Sequence, residues 1–410
     1  MKGIFHQSKL QIILEILIFT VAFSIPISFA FTSISIAALF LFSFVFFNVK
    51  LFIKSINKKE VYGYYFLSFL IQVLSLFYAN KIEIALEAVK QNTIFLVMPI
   101  TFINLKNQIE IRKYKAAYLG LFISVFLTLM VSILVLTYKS LTSEMVLSDF
   151  FRESFINSGL YNGIHVPYLS ILIVFVLICT EKFTFSQKKN INNLLKAGAI
   201  FVLFTSLLFL SGVMSLVLLI VYLSVLFLTN KLSNQVKIGT VIVAMFFPVF
   251  SFNYIKQYKE MEHTRGSEHV AYRIQKLITS KDAVRQTNWE SVIKVISSKP
   301  IFGVSADGGL EQLQKERNII SEPYINKHNA HNDTLEITLR YGLVGLMIYL
   351  VLIFKLFKNA WQKKLYVFKW FLIVFVVSSI TESYLQRQIG LTFFTFFSLL
   401  LYNYKPKLNQ

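Results

Sequence analysis

Apolar runs near twenty residues recur from one end of this 410-residue chain to the other. Each is long enough to cross a hydrocarbon core as a helix. This recurrence constrains the fold more than any motif, because inside lipid only a helix or a closed barrel satisfies its own backbone. About twelve spans can be read by this criterion, at roughly 12–31, 33–52, 61–79, 85–105, 114–137, 164–181, 195–210, 212–229, 236–252, 334–357, 366–385 and 388–404. The breaks at 32, 211 and 386 rest on polar residues and short turns. No soluble domain needs a chain that is 55% hydrophobic and 16% aromatic. The first run is too long, and too poor in a small-residue cleavage site, to read as a removable signal peptide.

A formal net charge of +20 on its own would suggest a nucleic-acid partner. The distribution points elsewhere. Lys50, Lys54, Lys58 and Lys59 share one loop, Lys106, Arg112, Lys113 and Lys115 another, and Lys182, Lys188, Lys189 and Lys196 a third. Lys355, Lys358, Lys363 and Lys364 form a fourth, and the short loops between these carry few cations. This positive-inside bias places both termini in the cytoplasm and accounts for roughly half of all Lys and Arg, so no nucleic-acid partner is expected. Cys179 is the one cysteine and lies within a span, so no disulfide framework or thiolate metal site forms within one chain.

The expected organisation is therefore all-α and polytopic. Nine helices occupy 1–252, a large outer loop occupies 253–333, and three further helices occupy 334–410. A loop of about eighty residues far exceeds the usual connection and reads as functional. It carries His263, His269, His328 and His331, four of the six histidines. Apolar residues at three- and four-residue spacing predict helices over 270–280 and 284–298. Lys299-Pro300 stops the second, 301–309 reads as a turn, and 310–317 reads as a short helix. A second outer loop, about 138–163, carries Glu144, Asp149, Arg152 and Glu153.

The chemistry is expected in the outer loop. His328 and His331 are three apart and on a helix would share a face. They read as solvated loop histidines, as part of a zinc site, or as general bases. Zinc needs at least a third ligand, and no HExxH pattern or cysteine partner is present, so no metal is expected. A histidine titrates near neutrality, which suits removal of a proton from a sugar hydroxyl. Arg265, Arg273 and Arg285 offer guanidinium forks that match phosphate oxygens, or else are solvated charge. Trp289 follows Arg285 by four residues, on the same helical face, and would line a lipid-headgroup site or anchor the helix at the interface. Arg340 sits nine residues past His331, about 13 Å deeper if helical, where a charge implies a functional role or an ion pair. Glu382 and Arg387 bracket the outer turn between the last two spans and would pair with each other or shape the cavity. His165 opens the sixth span, as a helix cap or a ligand.

Three stretches resemble the O-antigen ligase and O-antigen polymerase superfamily of bacterial envelope enzymes. Arg285-x-x-x-Trp289 running into Lys299-Pro300-Ile-Phe-Gly303-Val is similar to the family's Arg/Trp helix and the turn after it. His331-Asn332-x9-Gly342-x-x-Gly345 matches the family's hallmark at the end of its large periplasmic loop. Thr381-Glu382-Ser383-Tyr-Leu-Gln-Arg387-Gln388-x-Gly390, with Phe393-Phe394, is similar to a stretch in some members. His165-Val-Pro-Tyr168-Leu-Ser170 resembles a further extracytoplasmic element with Tyr168 in it. One element departs. Many members carry Ser-Arg-Gly at the outer start of the eighth span, whereas this chain reads Leu210-Ser211-Gly212-Val-Met214-Ser215. Arg265, Arg273 or Arg340 would then substitute, or the donor headgroup would be held differently.

The resemblance implies a lipid-dependent glycosyltransferase fold of the GT-C-like type. It implies an inner-membrane enzyme, with its site facing the periplasm, that moves a glycan from undecaprenyl pyrophosphate to an acceptor hydroxyl. The acceptor is lipid A core for a ligase, or a second lipid-linked repeat for a polymerase. Inversion at the anomeric carbon would follow from single displacement, with no nucleotide sugar, cofactor or metal. His331 is the expected base, or failing that orients the pyrophosphate, with His328 a less certain partner. Asn332 would fix the local turn, and Gly342 and Gly345 would let the tenth helix pack closely against a neighbour. A secondary transporter is the main alternative, but it concentrates charge at mid-membrane and shows two similar halves. A flippase for lipid-linked sugars would share the substrate without needing the loop, and a non-catalytic assembly protein would need neither histidine.

Overall fold

A computed structural model of the chain describes residues 2–57, 60–142, 164–210, 213–228 and 283–404. Among these the structure is all-helical, with no strand. The first part contains α1 (Lys2–Ser24), α2 (Phe29–Ser43), α3 (Val49–Asn57), α4 (Val61–Leu74), α5 (Ile82–Gln91), α6 (Ile94–Asn104) and α7 (Ile111–Thr142). There follow α8 (Val166–Lys182), α9 (Lys189–Leu210) and α10 (Val213–Leu228). The last part contains α11 (Ala283–Ser298), α12 (Leu310–Glu316), α13 (Glu322–Ile325), α14 (Asp333–Gln362), α15 (Tyr366–Ser378) and α16 (Gln388–Asn403). The expected span at 236–252, the helix at 270–280, and most of the 138–163 loop lie outside the described residues. Four segments, Phe29–Phe46, Val61–Tyr78, Ile111–Val135 and Asp333–Gln362, are long and apolar enough to cross a membrane, and α15 and α16 are shorter apolar helices.

Several expected spans are broken, each for a local reason. The run at 12–31 stops at Ser24, since Pro26 lies in the turn that follows and Ser28 begins α2 by accepting from the Phe31 N–H at 3.4 Å. The run at 33–52 ends at Phe46, and Asn48 then caps the short helix α3 through the Leu51 N–H at 3.0 Å. The run at 85–105 is two helices. Glu83, Glu87 and Lys90 recur at four- and three-residue spacing on α5, so this segment has a charged face that a straight span would not tolerate. The run at 366–385 stops at Ser378, and the residues beyond it form the turn that carries Glu382.

Lipid tails are as apolar as leucine, so these helices associate through close packing rather than exclusion of water. Gly120 shows how close: a Cβ there would lie 2.4 Å from the Phe19 carbonyl oxygen, so α7 and α1 meet backbone to backbone. Rings from α8, α15 and α16 interlock deeper in, with Phe375–Phe394 centroids 4.5 Å apart and Phe175–Phe397 centroids 4.9 Å apart. Such pairs contribute about 0.5–1.5 kcal/mol beyond the area they bury.

Polar contacts define two ends. At one, the Gln388 amide donates to the Phe29 carbonyl at 3.0 Å, the Gln91 amide to the Gln386 carbonyl at 3.0 Å, and the Tyr78 hydroxyl to the Phe302 carbonyl at 2.7 Å. At the other, the Asn104 amide donates to Ser43 Oγ at 3.1 Å, the Tyr62 hydroxyl to Asn403 Oδ1 at 2.6 Å, and Lys363 Nζ to the Tyr402 carbonyl at 2.6 Å. Helices α2 and α6 run from the first end to the second.

The 299–309 turn enters α14 itself. Gly342 has φ 62° and ψ −163°, which breaks the helix. The N–H groups freed beyond the break are taken by the turn, Leu343 donating to the Pro300 carbonyl at 2.8 Å and Val344 to the Ile301 carbonyl at 3.2 Å. Two carbonyls before the break accept from the same turn, Leu339 from the Val304 N–H at 2.9 Å and Arg340 from the Ser305 N–H at 3.0 Å. A Cβ at Gly342 would lie 2.1 Å from the Ile301 oxygen, and one at Gly303 2.5 Å from the Arg340 carbonyl carbon. The helix-packing role expected of Gly342 is corrected accordingly: the residue admits a loop into a broken helix.

Candidate functional site

Residues 328–332 cross the first end as a non-helical loop, and six of its backbone polar groups are held by side chains. The buried Arg317 guanidinium donates to the His328 carbonyl at 2.8 Å and to Asn288 Oδ1 at 2.6 Å. Asn288 in turn donates to the Asn329 carbonyl at 2.8 Å. Trp289, the next residue of α11, donates its indole N–H to the Ala330 carbonyl at 2.9 Å. Buried Glu336 accepts from the Ala330 N–H at 2.8 Å. Asn329 Oδ1 accepts from the His331 N–H at 3.0 Å, and Ser383 Oγ from the Asn332 N–H at 3.0 Å. Asn332 then caps α14 by accepting from the Leu335 N–H at 3.0 Å, while its amide donates to the Ile380 carbonyl at 3.0 Å. Asp333 is fully buried and ties the loop to the 379–387 turn, donating its N–H to Ser379 and accepting from the Leu385 N–H.

This network holds His331 at φ +46°, a left-handed conformation sparsely populated by residues with a side chain. The helical face expected to bring His328 and His331 together does not form. They meet because the left-handed residue turns the chain, and their rings stand edge to face with centroids 5.1 Å apart.

His331 Nδ1 lies 3.2 Å and 3.4 Å from the two carboxylate oxygens of Glu382. Burial pushes the Glu382 carboxyl up, but the hydrogen bond and charge of His331, with the Ser383 N–H at 3.0 Å, bring it below the ordinary value. An ionised carboxylate only accepts. The partner therefore places a proton on Nδ1, and in the neutral ring Nε2 is the nitrogen that keeps a lone pair. The His328 imidazole is held below its ordinary value by burial and then by the neighbouring His331. Glu382 does not pair with Arg387, which instead stands at the N-cap of α16. His165 stands at the N-cap of α8, its ring 6.2 Å from that of Tyr168, and its charge also favours ionised Glu382. Tyr168 donates its hydroxyl to the Ser383 carbonyl at 3.0 Å and so braces the same turn.

The arginines separate. Arg285 is half-buried on α11, one turn before Trp289. Arg340 is engaged elsewhere: its Nε donates to Glu336 at 2.6 Å and its Nη1 to the Ala306 carbonyl, beside Gly308 of the inserted turn. Arg265 and Arg273 lie outside the described residues. Gly345 lines a small cavity of about 40 Å³ with Tyr341 and Tyr349, below the Glu336–Arg340 pair. Among the described residues no three His, Cys, Asp or Glu side chains come together to hold a metal ion.

Residues 194–350 match the O-antigen ligase family. The match supports placing the chain in the O-antigen ligase-like superfamily. It takes in α11, the inserted turn, the histidine loop and the break in α14. Glu382 falls beyond it. The family implies an enzyme of ligase or polymerase type acting on lipid-linked glycans, and the apolar helices agree with a membrane protein. A comparison with curated proteins gives no match.

Arg317, Asn288, Glu336, Asp333 and Ser383 position the loop; Ser383 lies in a stretch that resembles the family, and sequence reasoning reaches none of the other four. Glu336 had a signal, since it precedes Arg340 by four residues on a helix. Arg317 had none.

Proposed function

We propose that the chain transfers a glycan from undecaprenyl pyrophosphate to an acceptor hydroxyl, as an O-antigen ligase with lipid A core as acceptor. The observation that carries the reading is the His331–Glu382 pair set in a pre-ordered loop. In this reading the acceptor oxygen attacks the anomeric carbon as the bond to the pyrophosphate oxygen breaks. The hydroxyl proton passes to His331 Nε2, and Glu382 stabilises the imidazolium that forms at Nδ1. Undecaprenyl pyrophosphate leaves with the bonding electrons, and the anomeric centre inverts.

Arg285 is the described arginine best placed for the phosphates, since Trp289 and Asn288 on the same helix hold the histidine loop. Its planar fork suits two phosphate oxygens at once. Pyrophosphate is already a good leaving group, so orientation, charge stabilisation and one proton acceptor suffice. This chemistry assigns charge neutralisation to side chains rather than to a metal, and activity that survives chelation would support it. The fold would be of the lipid-dependent glycosyltransferase type, with the histidine loop in the periplasm and both termini in the cytoplasm of a bacterial inner membrane. The alternation of lysine-rich loops supports that orientation. In a Cys179→Ser background, an impermeant thiol reagent applied outside should label a cysteine at 315 and not one at 188.

The deciding experiment uses purified protein, lipid-linked glycan and two acceptors. Wild type should extend lipid A core, and His331→Ala should leave the lipid-linked glycan unconsumed while remaining folded. Extension of a second lipid-linked repeat in place of lipid A core would make the enzyme a polymerase. Full activity of His331→Ala would remove the proposed base.

A further inference from the structure

The opposite end of the bundle holds a second polar cavity that the transfer reaction does not use. It measures about 440 Å³, within the range of small-molecule sites, and lies between the start of α3 and the end of α6. Asn48, Lys50, Lys54, Asn104 and Gln108 line it. Helix α2 starts beside Gln388 of the histidine end and finishes at Ser43, which accepts from Asn104. Whichever way the protein is inserted, this cavity and His331 therefore lie at opposite ends of the same helix.

Three observations describe what would occupy it. Lys50 and Lys54 are one helical turn apart on α3 and exposed, so their ammonium groups project together over the cavity. Asn104 is only 3% exposed, yet its carbonyl oxygen Oδ1 has no hydrogen-bond partner among the described residues. An unmet buried acceptor calls for a donor. Around the cavity Phe44, Phe47, Val49 and Ile53 are exposed apolar side chains at the end of a spanning segment and along α3. A ligand here would carry an anion for the lysines, an N–H donor for Asn104 and a hydrocarbon part for the rim.

We propose that this cavity binds the phosphoethanolamine headgroup of a phospholipid in the leaflet opposite the histidine loop. The phosphodiester oxygens accept from Lys50 and Lys54, the primary ammonium donates to Asn104 Oδ1, and the acyl chains lie over Phe44, Phe47 and Ile53. The proposal does not depend on the reaction assigned to His331.

The test is a titration of the purified full-length protein with three soluble probes: dihexanoyl phosphatidylethanolamine, dihexanoyl phosphatidylcholine and inorganic phosphate. Choline has the same phosphodiester and the same net charge but no N–H to donate. The ethanolamine lipid should bind about tenfold more tightly than the choline lipid, the difference one charge-assisted hydrogen bond makes. Asn104→Leu should abolish that preference. Lys50→Ser with Lys54→Ser, both at exposed positions, should weaken binding of either lipid and keep the tool informative if the buried Asn104 variant fails to fold. Equal affinity for the two lipids would overturn the proposal, as would inorganic phosphate displacing the ethanolamine lipid at matched concentration. Affinity unchanged in the double lysine variant would also overturn it.

Discussion

Two acid–base pairs flank the first turns of α14, and they differ in what surrounds them. Glu336 and Arg340 are four residues apart, 2.6 Å from contact atom to contact atom, with side chains 1% and 14% exposed. Both carboxylate oxygens are spoken for, one by Arg340 and one by the Ala330 N–H, and the guanidinium also holds the Ala306 carbonyl. Glu382 and His331 are 3.2 Å apart, and the imidazole is 29% exposed, with no hydrogen bond to its second ring nitrogen among the described residues. A saturated buried pair has no capacity left for a substrate. A pair whose imidazole is part-exposed and has an uncommitted ring nitrogen does. The comparison teaches that sign and proximity do not identify a reactive pair; the unused hydrogen-bonding capacity does.

The largest effect should come from the saturated pair. Glu336→Gln leaves the Arg340 charge uncompensated and removes support from the histidine loop. A loss of about 3–5 kcal/mol is expected, seen as poor recovery of folded protein and a lower Tm in detergent. A variant as stable as wild type would erase the distinction between the pairs. His331→Gln should do the opposite, keeping Tm close to wild type while single-turnover glycan transfer falls about 10²–10⁴-fold. If purified His331→Gln transfers at near wild-type rate, the histidine only positions.

Glu382→Gln retains the shape but loses the charge that stabilises imidazolium. A charged hydrogen bond of about 1.5–3 kcal/mol corresponds to a rate loss of about 10–100-fold. A rate unchanged from wild type would show that Glu382 is a strut. Trp289→Phe removes one donor to the Ala330 carbonyl, and a decrease of about 1 kcal/mol in unfolding free energy is expected. The smallest effect concerns pH. His328 is held below its ordinary value in the folded chain, so the folded state binds fewer protons than the unfolded one. Its contribution to stability is complete above the unfolded pKa of about 6.5 and is lost as pH falls through the folded value. Tm of wild type should decline between neutral and mildly acidic pH, and His328→Gln should decline less. Identical slopes would mean that other groups set the acid limb.

Sequence patterning made the helices visible, because hydrocarbon length and helical rise leave few choices. It also made the 299–309 turn visible, because Lys299-Pro300 ends a helix and Gly303, Gly308 and Gly309 supply left-handed residues. Its failures are instructive. Pro26 and the charges on α5 break runs that hydropathy alone would continue. His328 and His331 do meet, through a left-handed residue and not through helical spacing. The partner of His331 lies 51 residues away, and no local period could show it. The same is true of Arg317 and the loop carbonyls, since a side chain reaching across a fold leaves no mark in its own neighbourhood. The arginine of α14 was legible as a costly charge, and its partner one turn earlier was overlooked.

The break at Gly342 also changes how α14 meets the bilayer. At about 1.5 Å per residue, the part beyond the break, 343–362, is about 30 Å long. A hydrocarbon core is about that thick. Lys355 and Lys358 end the apolar stretch after Phe354, so 343–354 alone reaches only about 18 Å, and 333–341 with the inserted turn makes up the rest of the span. Glycine here works as a splice: one residue ends the greasy shaft and lets a loop join it, so the acid and base of the short post, Glu336 and Arg340, are satisfied by each other and by the inserted turn without facing oil.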